Sequence, residues 1–274
     1  MRSYLFPHPH RPPPPDEVHH KLTELTWDTV ATYMPSASGG SGEVKRKLKL
    51  LALAAFDPSS TEPWSVLDVG CGDGAALPHL LTAGADEGSY RGIDLSSKML
   101  KRARSLHPKA DFEQIAFEDV DLSRRFCAIL FNGSLQFFAD LSVVLKRASE
   151  LLEPGPASRI VLSHVNGAAF VRSEAKGNPA TVLSTMPSYE QLSEVAQELG
   201  LELISPEALG VGGKGGKGSK GGKRGMRKGG VEDANSGSSE DGALTGAEPS
   251  VSQEAAAADA LLESFYLVAL QRQR

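Results

Sequence analysis

Val66-Leu67-Asp68-Val69-Gly70-Cys71-Gly72-Asp73-Gly74-Ala75 decides the fold. A short apolar strand runs straight into three alternate glycines, and a helix is expected from Ala76 to Gly84. Glycine has no Cβ, so Gly70, Gly72 and Gly74 let the backbone turn tightly and come close to a ligand. The helix beyond offers unpaired N–H groups at its start. Asp94 ends the next predicted strand, 24 residues after Gly70. A carboxylate at that place can accept both hydroxyls of a ribose. This stretch therefore predicts an adenosine-containing cofactor in the crevice of a Rossmann-like sheet.

The same alternation continues outward. Strands are expected at Ser65–Val69, Ser89–Ile93, Asp111–Ala116, Phe126–Phe131, Arg159–Ser163, Leu201–Ile204 and Ser264–Leu270. Helices are expected at Ser96–Leu106, Leu141–Leu152 and Ser188–Leu199. Phe126 to Phe131 is apolar throughout, as a strand covered on both faces should be. Alternating strands and helices over this length imply an open, parallel α/β sheet. Two helices precede it. Glu17 to Met34 has Leu22, Leu25, Thr29 and Tyr33 at helical spacing, widened by Trp27 and Val30. Glu43 to Phe56 has Leu50, Leu51, Leu53 and Ala54 as its apolar side, with Lys45, Arg46, Lys47 and Lys49 expected in water.

Composition bounds the rest. The 274 residues carry 29 Lys+Arg against 34 Asp+Glu, a formal charge of −5. That balance argues against an overall nucleic-acid binder. The hydrophobic fraction of 40% supports a real core. No apolar run approaches the roughly 18 residues of a membrane span. With Cys71 and Cys127 as the two cysteines, a disulfide scaffold and a four-Cys zinc site are excluded, and no metal is expected. Residues 1–16 form a Pro-rich, disordered start in this reading. Gly210 to Gly230 holds 11 Gly, 5 Lys and 2 Arg, and Val231 to Glu263 holds 8 acids with no Lys or Arg. Neither half can bury enough apolar surface to order itself, so 210–258 is expected to be a disordered insertion. The domain then comprises 17–209 plus 259–274. The basic tract at 214–228 has no aromatic for base stacking, and a solvated linker is favoured over an RNA grip.

Gly70-x-Gly72-x-x-Ala75 formally fits a dinucleotide fingerprint, but a lone match of that kind is weak. Asp68 shifts the choice. An anion two residues before the first glycine repels a pyrophosphate and attracts a cation. S-adenosylmethionine carries an ammonium and a sulfonium, with no phosphate. At this point the residues resemble a family. Val66 to Ala75 is similar to the first motif of the class I S-adenosylmethionine-dependent methyltransferases, in particular the type 11/type 25 small-molecule group. Ile93 to Leu100 resembles that family's second-strand motif, Phe126 to Phe138 its fourth-strand motif, and Leu151 to Gly155 with Arg159 to His164 its helix–Pro-Gly–strand step. The four occur in the family's order over about residues 20–205 and 261–270.

The resemblance implies a seven-stranded, mostly parallel sheet whose last strand is antiparallel. It implies an enzyme that uses S-adenosylmethionine as cosubstrate. By residue, it implies that Gly70 and Gly72 line the methionine part with Asp68 near its ammonium. Asp94 would hold the ribose, and Leu95 and Met99 would flank the adenine. Asn132 and Gly133 would lie below the transferring methyl. Trp27 and Tyr33 resemble lid residues, although ordinary core packing is the favoured reading for both. The family often has an acid near the end of the third strand, where Ala116 stands here. The Phe117 N–H and Glu118 are the expected substitutes. His164 ends the fifth strand and is a candidate general base; its bland reading is a satisfied polar group at a strand end. Cys71 and Cys127 read as packing residues. The expected acceptor is a small molecule, since Asn132-Gly133-Ser134-Leu135 departs from the family's signature for amide and adenine nitrogens. The expected state is a cytoplasmic monomer, with a plastid or mitochondrial location as the alternative. The rival functions are a NAD-dependent oxidoreductase and a non-catalytic methyltransferase-like binding protein.

Overall fold

The computed structural model describes residues 16–35, 40–57, 64–205, 209, 259 and 262–273. Residues 1–15 and 210–258, on which the disordered start and the insertion were expected, lie outside the described residues. Seven strands form one sheet: β1 (Trp64–Val69), β2 (Ala85–Asp94), β3 (Asp111–Gln114), β4 (Ala128–Asn132), β5 (Arg159–His164), β6 (Leu201–Ile204) and β7 (Tyr266–Arg272). Their order is β3-β2-β1-β4-β5-β7-β6. β1 to β5 are parallel, and β7 runs antiparallel between β5 and β6. This is the expected architecture.

Side-chain alternation explains the continuous apolar strands. Leu67, Val69, Ile129, Phe131, Ile160 and Leu162 project into one core, while Val66, Ala128, Leu130 and Val161 project into the other. α5 (Leu141–Leu151), α6 (Gly167–Gly177) and α7 (Tyr189–Glu198) cover the first face. α2 (Gly42–Ala54), α3 (Leu77–Ala83) and α4 (Ser97–Leu106) cover the second.

Two helix faces differ from the sequence reading. In α1 (Asp16–Tyr33) the stripe of Leu22, Leu25 and Tyr33 faces water, 36%, 52% and 81% exposed. The inward face is His19, Thr23, Trp27 and Ala31, spaced by four. α1 lies over a cleft and against α4 instead of over a core, so its inward side mixes polar His19 and Thr23 with apolar Trp27 and Ala31. Asp28 fixes it there, accepting the Ser96 hydroxyl at 2.6 Å and the Lys98 N–H at 3.1 Å. In α2, Lys47 is buried and Leu53 is half exposed. Lys47 donates to the carbonyls of Val165 and Ser264, at 2.8 and 2.9 Å, and pairs with Glu43. Its charge is satisfied by backbone oxygens that sequence periodicity does not reveal. α6 was not anticipated.

Candidate active site

The carboxyl ends of β1, β2, β4 and β5 open into one cleft of about 610 Å³. The residues expected to hold the cofactor, and His164, line it: Asp68, Gly70 and Gly72 at the end of β1; Asp94 and Leu95 at the end of β2, with Met99 in α4; Phe117 after β3; Asn132 and Gly133 at the end of β4; and His164 at the end of β5. Tyr33 does not line it, while Trp27 does, edge-on to Phe137 with ring centroids 5.9 Å apart.

The glycine loop is held by Ile93, whose carbonyl accepts the N–H groups of Gly70 and Cys71 at 2.8 and 3.0 Å. Gly70 has φ +69°, and a Cβ there would sit 2.6 Å from Ser134 Cβ. Ser134 is itself pinned, its hydroxyl donating to the Val69 carbonyl. Gly72 differs. Its φ of +55° demands glycine, but a Cβ would meet nothing within 4 Å. Backbone geometry alone keeps that part of the loop bare, and it leaves a concavity open to the cleft.

Asp68 is 2% exposed and accepts the Tyr90 hydroxyl at 2.9 Å. Tyr90 precedes by two the residue Gly92, which lies opposite Asp68, so the two side chains leave the same face of the sheet. Burial pushes the Asp68 carboxyl up to about 7; the Tyr90 bond opposes the rise and neighbouring Asp94 adds to it. A cation beside this buried acid would favour its ionised form and be held by it, whereas a phosphate would raise its pKa further.

Asp94 is already engaged. One carboxylate oxygen accepts Gly72 N–H and the other Ser96 N–H, both at 2.8 Å. It therefore ties the glycine loop to the start of α4, a structural task the sequence did not disclose. Its burial raises its pKa, against the pull of those backbone bonds. A carboxylate has about four lone-pair sites, so acceptor capacity toward the cleft remains.

Phe117 buries its ring edge-on to Phe131 and Phe138, so only its backbone faces the ligand side. Ala116 precedes it as the cap of a short 3-10 turn and offers no side-chain bond. The Phe117 N–H is thus a first-turn donor without an intrahelical acceptor. Glu118, the other expected substitute, sits 3.8 Å from His20 of α1.

Asn132 accepts the Ser163 hydroxyl at 2.8 Å, and Gly133 N–H donates to the Ser163 carbonyl. His164 is stacked on Phe170 at 5.4 Å, and its Nδ1 accepts the Asn166 N–H at 3.2 Å. A neutral ring that accepts at Nδ1 carries its hydrogen on Nε2. Burial also drives its pKa down to about 4. His164 therefore presents an N–H donor, which accords with the satisfied polar group at a strand end more than with the candidate general base.

The far side of the cleft holds groups that sequence reading missed. Gln136 is 1% exposed; its Nε2 donates to the Gly133 carbonyl at 3.1 Å, and its Oε1 has no partner. Glu174 of α6 stands beside it, with a buried and unpartnered Oε2. Phe170 and Trp27 add apolar walls. The one usable signal was the Ala168, Val171, Ala175 spacing in α6, written in small residues between two glycines. Among the described residues no group of His, Cys, Asp and Glu could hold a metal, and no helix is long and apolar enough to cross a membrane.

Comparison with known proteins agrees with this arrangement. Residues 66–155 match the family described as Methyltransferase domain. Over 98 residues the chain is 36% identical to a dTDP-3-amino-3,4,6-trideoxy-alpha-D-glucopyranose N,N-dimethyltransferase of Streptomyces venezuelae, covering 34% of this chain. The chain thus spans 40% of that relative's length. A chain of the solved complex between the Haloferax volcanii Trm112 methyltransferase activator and a methyltransferase superposes with TM-score 0.51 at 20% identity, covering 65% of this chain and 77% of that one. The N-methyltransferase NodS of Bradyrhizobium japonicum WM9, solved with S-adenosyl-L-homocysteine, gives 0.50 at 16% identity over 67% of this chain and 88% of its own. At those identities both likenesses speak for the fold.

Proposed function

We propose that this chain, whose residues 66–155 match a methyltransferase domain, is a class I methyltransferase that transfers a methyl group from S-adenosylmethionine to a small molecule. The observation that carries the reading is Asp68, a buried carboxylate at the mouth of a glycine loop left bare at Gly72. The family match over 66–155 and the Streptomyces relative, named for an amino-sugar acceptor, support it.

When bound, S-adenosylmethionine supplies a methyl group already activated by its sulfonium. The chain's own task is then alignment, which supplies several kcal/mol of barrier lowering without a dedicated base. In this reading Asp68 draws the ligand's ammonium. The remaining acceptor capacity of Asp94 takes the ribose hydroxyls. Leu95 and Met99 enclose the adenine, and the Phe117 N–H bonds one of its ring nitrogens. Asn132 and Gly133 form the floor under the reacting centre, and the His164 Nε2–H steadies an electron-rich atom of the acceptor.

Thermal denaturation with added ligand tests this. S-adenosylhomocysteine at one hundred times its dissociation constant should stabilise the fold by about 2.7 kcal/mol. Stabilisation by NAD and by neither adenosyl ligand would overturn the reading.

A further inference from the structure

The far side of the cleft has an unusual chemical balance. Gln136 Oε1 and Glu174 Oε2 are both buried and both lack a partner. Burying such acceptors unpaired costs about 1–3 kcal/mol each, more for a charge. The cations of the neighbourhood do not serve them. Arg172 of α6 is committed to Glu263, and Arg102 of the cleft wall donates to the Met34 carbonyl. Among the cleft-lining residues, His164 offers a single N–H.

The position of this pair matters as much as its chemistry. Gln136 is tied by its own amide to the Gly133 carbonyl, at the end of β4. It therefore sits one side chain from the floor where the acceptor must meet the methyl group. Phe170, one helical turn before Glu174 on α6, supplies an apolar wall beside it.

We infer that Glu174 and Gln136 form a subsite for an amino group on the methyl acceptor; this assignment rests on the methyltransferase reading above. Two adjacent acceptors need at least two hydrogens from the ligand. A hydroxyl supplies one. An ammonium supplies three and accepts none, and an amine supplies two. The carboxylate adds attraction for the charged form, which makes such a bond roughly twice as strong as a neutral one. The chemistry balances with the residues in hand. An ammonium first yields a proton to the Glu174 carboxylate. The freed lone pair forms the new N–C bond while the C–S bond breaks, its electrons returning to sulfur. The methylated nitrogen is then cationic, with its remaining hydrogens accepted by the Gln136 carboxamide oxygen and the carbonyl oxygen of the now protonated Glu174 carboxyl. Burial raises the Glu174 pKa, against a bond from Gln136, which suits it to take that proton.

Matched probes test the assignment in the full chain saturated with S-adenosylhomocysteine. Benzylamine and benzyl alcohol share an aromatic body that fits the Phe170 and Trp27 walls and differ in the polar group. By titration calorimetry, benzylamine should bind wild type at least about tenfold more tightly. Glu174→Gln should reduce that preference to within about threefold and leave the S-adenosylhomocysteine affinity unchanged, which also shows that the variant is folded. No preference in wild type, or a preference that survives in Glu174→Gln, overturns the subsite. The two readings fail separately. S-adenosylhomocysteine binding without an amine preference refutes the subsite alone. An amine preference lost in the variant, in protein that binds no adenosyl ligand, refutes the cofactor reading alone.

Discussion

Replacing Asp68 by Asn removes a charge and keeps a shape. The Asn carbonyl can still accept the Tyr90 hydroxyl, which Asp68 accepts at 2.9 Å. In the wild type, burial moves this carboxyl from 3.8 to about 7. A carboxyl with a raised folded-state pKa holds its proton in the native state after the unfolded chain has lost it. Its contribution is therefore fully present below pH 4 and disappears as pH rises through about 7. Each unit is worth about 1.4 kcal/mol, so a rise of about three units caps the loss at about 4 kcal/mol. A relaxed protein dielectric brings the expected figure nearer 2 kcal/mol. Without ligand, Asp68→Asn should match wild type near pH 4 and exceed it by about 2–4 kcal/mol at pH 8. For a domain of this size that is a melting temperature about 5–10 °C higher. Melting curves from pH 4 to 8 provide the measurement. A difference that stays constant across that range, or a variant less stable at pH 8, would refute the assignment of a buried, reluctantly ionised acid. The same substitution should weaken S-adenosylhomocysteine about tenfold at pH 8 and far less at pH 5, where wild type is itself protonated.

Asp94→Ala should lower affinity for S-adenosylhomocysteine by about 2 kcal/mol and stability by about 1–3 kcal/mol, because Gly72 and Ser96 lose their acceptor; weakened binding in a fully stable variant, by calorimetry and urea titration, would restrict Asp94 to the ligand. Gly70→Ala should cost about 2–4 kcal/mol, since it combines left-handed backbone strain with a 2.6 Å clash against Ser134, whereas Gly72→Ala should cost about 1–2 kcal/mol of strain alone. Equal urea midpoints for the two would contradict that separation. His164 should stay neutral down to about pH 5, with its hydrogen on Nε2, given a pKa driven to about 4; nitrogen-15 spectra of the ring showing an Nδ1–H form or a midpoint near 6.5 would show otherwise.

The sheet was legible because each central strand carries its own apolar signature and many boundaries a Gly or Pro, as at Gly70, Gly84, Pro108, Gly133, Pro154 and Gly200. The cleft was legible where the backbone itself does the work, at Gly70 and Gly72. It was not legible where a side chain answers to distant backbone. Asp94 binds the amides of Gly72 and Ser96, and Lys47 binds two carbonyls far along the chain. Neither partner has a residue type that a reader could look for. α1 misled for a related reason. Periodicity reports which face is apolar, but a helix roofing an open cleft turns His19 and Thr23 inward beside Trp27 and Ala31 and leaves Leu25 in water. His164 stood where expected, yet one amide, that of Asn166, settles which nitrogen carries the hydrogen.

β7 enters the sheet between β5 and β6, and Leu270 pairs with Ile160 on one side and Leu203 on the other. A chain that has folded as far as β5 therefore presents a long, buried-type edge of unpaired N–H and C=O groups, with the hydrophobic stretch Ile160-Val161-Leu162 at its centre. During synthesis this edge waits for the last strand to be made before it can close. Non-local pairing of this kind is slow, and an open apolar edge is the place where two unfinished copies would join. Recombinant yield should accordingly depend on temperature and synthesis rate, and the strand to protect or redesign would be β5, although it lies inside the finished sheet.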